Sequence, residues 1–205
     1  MSGLQPTDVR ILLNWKGAFM AQKDNQRVRH TKHLLTQALT DMLQEMPIQA
    51  VSIKELCERA GINRTTFYYH YGNQYDLLEE ISDSFLISVR QRLSSAEPNS
   101  RESVLEMVTL VFTYMEEHIQ LSRLLLNNMV DQGFAYRIIT LPEIPDLLSV
   151  CRNDEFDPAL QHAADTFAVS GSYRLLQLWI NDDHRRSAAA EAEMILELAR
   201  KVYQK

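Results

Sequence analysis

Arg64, Thr65, Thr66, Tyr68 and Tyr69 crowd into a run of six residues, and together they carry a guanidinium, two methyl-bearing hydroxyls and two phenols. An arginine fork can pair with a guanine edge, and a threonine methyl can sit on a thymine methyl. Tyrosine hydroxyls and free amides at a helix start suit phosphate oxygens. The chemistry offered is recognition of a duplex, without bond making or breaking. Elsewhere the sequence lacks a Gly-rich phosphate loop, an H-E-x-x-H pair, a nucleophile elbow and carboxylates at a defined spacing, so no catalytic residues are assigned. His30 and His33 stand three apart, but no Cys or carboxylate cluster completes a metal site around them, and no metal or cofactor is expected.

These side chains need a short, firmly held helix. Ser52 precedes an apolar-periodic run and has Glu55 three residues on, the pattern of a capping box for a helix starting at Ile53. Ile53, Leu56 and Cys57 share one face of that helix, which ends at Ala60 before Gly61, a residue free to take the left-handed geometry of a helix terminus. Asn63 then caps a second helix. Phe67 and Tyr71, four apart, turn inward with Ile62, leaving the arginine, threonines and tyrosines outside. Two short helices joined by a tight Gly turn make a helix-turn-helix candidate. The competing arrangement packs the same aromatics under another layer of the protein.

On these residues the chain resembles the TetR family of transcriptional regulators. The resemblance runs from about Arg29 to Leu78: a first helix, then V-S-I-K-E-L-C-E-R-A-G-I-N-R-T-T-F-Y-Y-H-Y, then Asp76, Leu77 and Leu78 opening a long helix. It implies that Arg64, Thr65, Thr66, Tyr68, Tyr69 and His70 face DNA, with Arg64 and the outer helix face reading bases. Tyr68, Tyr69, His70, Lys54 and Thr31 would then position the backbone. The sequence departs from the family at Gly72 and Gln74, where relatives commonly carry lysines that meet phosphates. That departure implies weaker nonspecific affinity and a flatter salt dependence. It also motivates a second reading: a TetR-fold co-regulator that acts through a protein partner, with weak or no direct DNA binding.

The totals agree with a soluble all-α protein. Of 205 residues, 45% are hydrophobic and 23% charged, and six Gly with six Pro leave few helix breakers. No apolar run is long enough to span a bilayer, and the N-terminus shows no secretion signal. Cys57 and Cys151 stand alone, as reduced cytoplasmic thiols do. The net charge of −6 divides unevenly: residues 20–75 carry seven Lys/Arg against five Asp/Glu, or +2, whereas 76–205 carry twelve against twenty-one, or −9. Acidic surface far from a duplex is screened within about 8–10 Å at physiological salt, so a weakly basic head on an acidic body remains compatible with DNA.

Along the chain, residues 1–26 read as an N-terminal extension or arm, 27–73 as the helix-turn-helix domain, and 74–205 as a helical effector-binding and dimerisation domain. Val9, Ile11, Leu12, Leu13 and Trp15 form an uncapped apolar patch that fits a tail, a docked helix or an upstream start, since Met20 would also begin a chain. Lys23, Arg27, Arg29, His30 and Lys32 make a basic leader, either solvated or laid along phosphates. Leu34, Leu35, Ala38, Leu39, Met42 and Leu43 predict a helix over 31–46, stopped by Pro47. Asn73 caps a long helix to about Leu93. Ser100 caps one reaching about His118, and another covers 120–128. Pro142 and Pro145 make 132–150 irregular. Asp157 and Pro158 start a helix to about Ile180, and the last spans 187–203.

Two features of the body follow partly from the resemblance, which implies a homodimer on a palindromic operator and a small-molecule effector. Phe167, Gly171, Leu175 and Leu178 on one helix, with Ala192, Ile195, Ala199 and Val202 on the next, form stripes that fit either a four-helix dimer interface or internal burial. Met107, Tyr114, Met129, Phe134 and Trp179 join Phe112, Met115, His118, Tyr136 and Tyr173 as adaptable apolar and aromatic side chains; the last five are the expected effector-pocket residues.

Overall fold

The computed structural model describes residues 6–127, 133–153 and 155–204, with only the backbone for 6–25. Among these residues every regular element is helical: α1 Pro6–Glu45, a 3₁₀ turn Ile48–Ala50, α2 Ile53–Ala60, α3 Arg64–His70, α4 Gln74–Leu93, α5 Arg101–Glu117, α6 Ile119–Leu126, α7 Phe134–Ile139, α8 Ile144–Ser149, α9 Pro158–Asn181 and α10 Ala188–Val202. The all-α expectation holds. Met129, and the side chains of the apolar patch at 9–15 and of Lys23, lie outside the described residues.

Most boundaries follow from caps. Ser100 accepts from the Ser103 amide while Ser103 returns a bond to the Ser100 amide, a reciprocal box opening α5. Asp157 accepts from the amides of Ala159 and Leu160, and Ser187 from that of Ala190. Two boundaries differ from the sequence expectation. The first helix starts at Pro6 and not near Thr31, because no proline and only Gly17 interrupts the intervening run. The segment expected to be irregular holds α7 and α8, since Pro145 lies in the first turn of α8, where a missing N–H costs nothing.

The apolar interior divides into two clusters. The first joins Leu35, Leu39 and Met42 of α1 to Leu56 of α2, Phe67 of α3 and Leu77, Leu78 and Ile81 of α4. The second starts at Phe85 on the same helix and runs through α5 to α10. Helix α4 therefore belongs to both. A second link comes from α6: Leu124 is buried in the first cluster, and Leu121 packs against both.

Candidate nucleic-acid interface

Ser52 accepts from the Glu55 amide at 3.2 Å, fixing the start of α2. The Glu55 carboxylate, which a capping box would turn back to the Ser52 amide, instead accepts from Arg59 at 3.2 Å. At the other end Gly61 adopts φ 65° and ψ 27°. Its amide donates to Glu58 and the Ile62 amide to Cys57, at 3.2 and 2.9 Å, the paired bonds that close a helix through a left-handed residue. A side chain at 61 would meet no neighbour, so the backbone angle alone makes glycine the favoured residue. Asn63 then accepts from the Thr65 amide at 2.8 Å and starts α3.

One face of α3 is anchored. Phe67 has no exposed surface, Tyr71 is buried beside it with ring centroids 5.6 Å apart, and Tyr68 sets its ring edge-on to Phe67 at 5.5 Å. Burial pushes the Tyr71 phenol well above its usual range, and the Glu80 carboxylate adds to the shift. The opposite face is open. Arg64 and Thr65 are exposed, Tyr68 is 51% exposed and Tyr69 82%, while Thr66 and His70 are half-buried. The packing-under-a-layer arrangement is therefore not the one adopted. Lys54 is exposed on α2, 4.0 Å from Glu58, and Thr31 is half-buried on α1.

Charge in the head is mostly committed. Lys32, expected in a free basic leader, pairs with Glu80 of α4 at 2.7 Å and lies 5.7 Å from the centre of the Tyr71 ring. Arg59 bonds Glu45 as well as Glu55. Arg64 differs from both: it has no hydrogen-bond or ion-pair partner among the described residues, and it stands at the first position of α3. Its positive charge reaches the buried Cys57 thiol, where it opposes the larger effect of burial, which raises the thiol's pKa.

The turn into α4 is closed on itself. Asn73 accepts from the amides of Tyr75 and Asp76 at 2.8 and 3.1 Å, and the Asp76 carboxylate accepts from the Gly72 amide at 2.8 Å. The amides of Gly72, Tyr75 and Asp76, which could meet a phosphate here, are thus occupied by the chain's own oxygens. Tyr75, 46% exposed in the first turn of α4, is a further candidate that sequence reasoning missed.

In the body, an apolar cavity of about 150 Å³ is walled by Leu93 of α4, Phe112 and Met115 of α5, Ile138 of α7, Tyr173 of α9 and Leu196 of α10, among others. Three expected pocket residues, Phe112, Met115 and Tyr173, are thus brought together. His118 and Tyr136 are not. His118 is exposed and rests on Tyr114, with ring centroids 4.6 Å apart, and Tyr136 is 70% exposed, because each faces outward from the end or side of its helix.

The expected dimer residues also divide. Phe167, Gly171 and Leu178 are exposed on α9, and Leu175 is half-buried. Ala192, Ile195 and Ala199 are instead buried within the protomer as part of the body cluster, with Val202 half-buried against it. That stripe of α10 packs inward, where its small residues let α10 approach α5. The large apolar side chain that α10 exposes is Leu198.

Residues 35–81 match the family described as bacterial regulatory proteins, tetR family, the same span covered by the first apolar cluster from Leu35 to Ile81. The HTH-type transcriptional regulator YxbF of Bacillus subtilis (strain 168) is 20% identical over 169 residues, 79% of this chain; the chain spans 43% of that relative's length. A TetR transcriptional regulator from Streptococcus agalactiae 2603V superposes with a TM-score of 0.64 at 18% identity, over 87% of this chain and 98% of that one. The dihydroxyacetone kinase operon activator DhaS superposes at 0.59 with 15% identity, over 85% and 98% of the two chains. These likenesses show a common fold.

Proposed function

We propose, from the premise that residues 35–81 are a TetR-family domain on a chain with a TetR-type fold, that this protein is a cytoplasmic, DNA-binding transcriptional regulator. The observation that carries this reading is the outer face of α3. An exposed arginine with no partner among the described residues, a threonine and two exposed tyrosines stand on a helix whose other face is locked by Phe67. A helix so held presents side chains to a major groove without a further cost of ordering its backbone. Arg64 reads a base edge, and Lys54, Tyr68 and Tyr69 contact the backbone.

The protein acts as a homodimer through α9, because a two-fold operator needs two heads about one duplex turn, roughly 34 Å, apart. Leu160, Phe167, Gly171 and Leu178 are all exposed and, at 100° per residue, fall within about 20° of one line along the helix. A small molecule held in the body cavity releases the operator. Repression is the proposed sign of control. A structural neighbour described as an operon activator shows that the fold serves the opposite sign as well.

The test is selection of bound fragments from random duplex DNA with the purified chain, followed by footprinting. An enriched palindrome protected over two successive major grooves is expected. Recovery of no enriched sequence would favour the second reading, a co-regulator acting through a protein partner. The self-closed turn at Gly72, where the Asp76 carboxylate occupies the amide and no lysine is present, favours that reading specifically.

A further inference from the structure

The lining of the body cavity restricts what can enter it. Its walls are aliphatic and aromatic, with side-chain hydroxyls from Ser172 and Tyr173 alone. The Tyr173 hydroxyl is already engaged, donating to the Leu126 carbonyl at 2.8 Å. Among the described residues, no Asp, Glu, Lys, Arg or His forms part of the wall. Arg152, His162 and Asp165 instead line an adjoining cleft that shares Ile139, Leu141, Ile144, Leu148 and Val169 with the cavity. There Arg152 and Asp165 are paired at 2.7 Å, and Asp165 also accepts from Tyr203 at 2.7 Å.

We propose that this cavity takes a small, uncharged, hydrocarbon-like ligand of about the size of a simple aromatic ring, and rejects charged molecules of the same shape. This rests on the reading of the body as an effector domain and names the chemical class of that effector. An apolar cavity of about 150 Å³ offers a water few polar partners and has the volume of sites that accommodate a benzene-sized molecule. A carboxylate or ammonium entering it would lose its hydration and find no opposite charge and no free donor pair in return. Shape and dispersion contacts are what the walls offer, and Phe112 and Tyr173 add aromatic surface to them.

The full chain carrying Trp15→Phe leaves Trp179 as the single tryptophan, and Trp179 stacks on the cavity residue Phe112 with ring centroids 5.3 Å apart. Titration with toluene, benzoate and benzylammonium, read by Trp179 emission and by Tm, separates the chemical classes. Toluene is expected to shift the emission saturably and to raise Tm, while the two ions require at least about 30-fold higher concentration. Val108→Phe, which fills the cavity from α5, should abolish the toluene response. Leu176→Ala, which enlarges it, should admit propylbenzene. An ion that binds as well as toluene, no saturable toluene response, or a toluene response unmoved by both variants would overturn the proposal. These readouts involve no DNA. Toluene binding that leaves operator affinity unchanged would therefore defeat the effector reading while leaving the ligand class intact.

Discussion

The hydroxyl of Tyr173 donates to the backbone carbonyl of Leu126 at 2.8 Å, tying a wall of the body cavity to the last residue of α6. Two residues earlier Leu124, only 2% exposed, lies in the apolar cluster of the head. Gln177, one turn further along α9, donates to the same Leu126 carbonyl. A displacement of the Tyr173 ring therefore acts on a helix whose apolar side is wedged against α1. Coupling between two sites requires an element whose position both of them bias, and α6 meets that requirement physically.

Tyr173→Phe keeps the wall and removes the ring's own bond to α6, leaving that of Gln177. The cost in stability is about 1 kcal/mol, because Gln177 still satisfies the carbonyl. Operator affinity without ligand should change little, while the ligand-induced loss of affinity should shrink from its wild-type value, typically between about 5-fold and 150-fold, toward none. Anisotropy titrations of a labelled operator with and without toluene measure this directly. A variant that responds as strongly as wild type would show that the hydroxyl transmits nothing.

Arg64→Ala removes the unpaired cation at the head of α3. Loss of one bidentate base contact should weaken the preferred operator by about 1–3 kcal/mol and relax preference at a single base pair. Since Arg64 is exposed and bonds to nothing among the described residues, Tm should move by no more than surface substitutions usually allow. A gel-shift series across single-base operator variants decides the matter: an unchanged preference profile would remove Arg64 from base readout.

The head was legible in the sequence because its determinants are local. Ser52, Gly61, Asn63 and Asn73 each act within four residues of their own position, and the inward pair Phe67 and Tyr71 is set by helical period alone. The committed charges were not legible. Lys32 finds Glu80 across 48 residues, a pairing that depends on how α1 lies against α4. The body fared similarly. The stripe of Ala192, Ile195 and Ala199 has the same periodicity whether it faces α5 or a second subunit, so spacing could not choose between them. Tyr136 and His118 are aromatic in the same way as Phe112, and only tertiary packing turns one inward and the others out.

Gly72→Lys combined with Gln74→Lys restores the cations that this turn lacks. A Cβ at 72 would approach the Asp76 carboxylate oxygen at 2.9 Å, the far end of a flexible side chain that can swing away, so the substitution is sterically mild. Each new phosphate contact should steepen the dependence of log K on log salt by about 0.9, or up to roughly two units for the pair, and raise affinity at low salt across all sequences. Titrations between 50 and 200 mM salt, roughly the range over which such slopes are resolved, test it. An unaltered slope would mean that this turn stands clear of the duplex.

The α9 stripe and the α10 stripe should respond in opposite ways to the same new charge. Phe167 is 70% exposed in the protomer, so Phe167→Glu ought to leave the protomer fold intact, with Tm lowered only by whatever the lost association contributed. Across a two-fold interface each copy would bring a carboxylate into an apolar seam, a burial that costs about 3–5 kcal/mol when the charge is unpaired. If the proposed α9 dimer forms, sedimentation should show the wild type as dimers and this variant as monomers, and operator affinity should fall because two heads no longer bind as a unit. Ala192 has no exposed surface, so Ala192→Glu forces a carboxylate into the body core and should depress Tm sharply whatever the oligomeric state. A Phe167→Glu protein that sediments as wild type does would move the dimer contact away from α9, and Leu198 on α10 would be the next position to substitute.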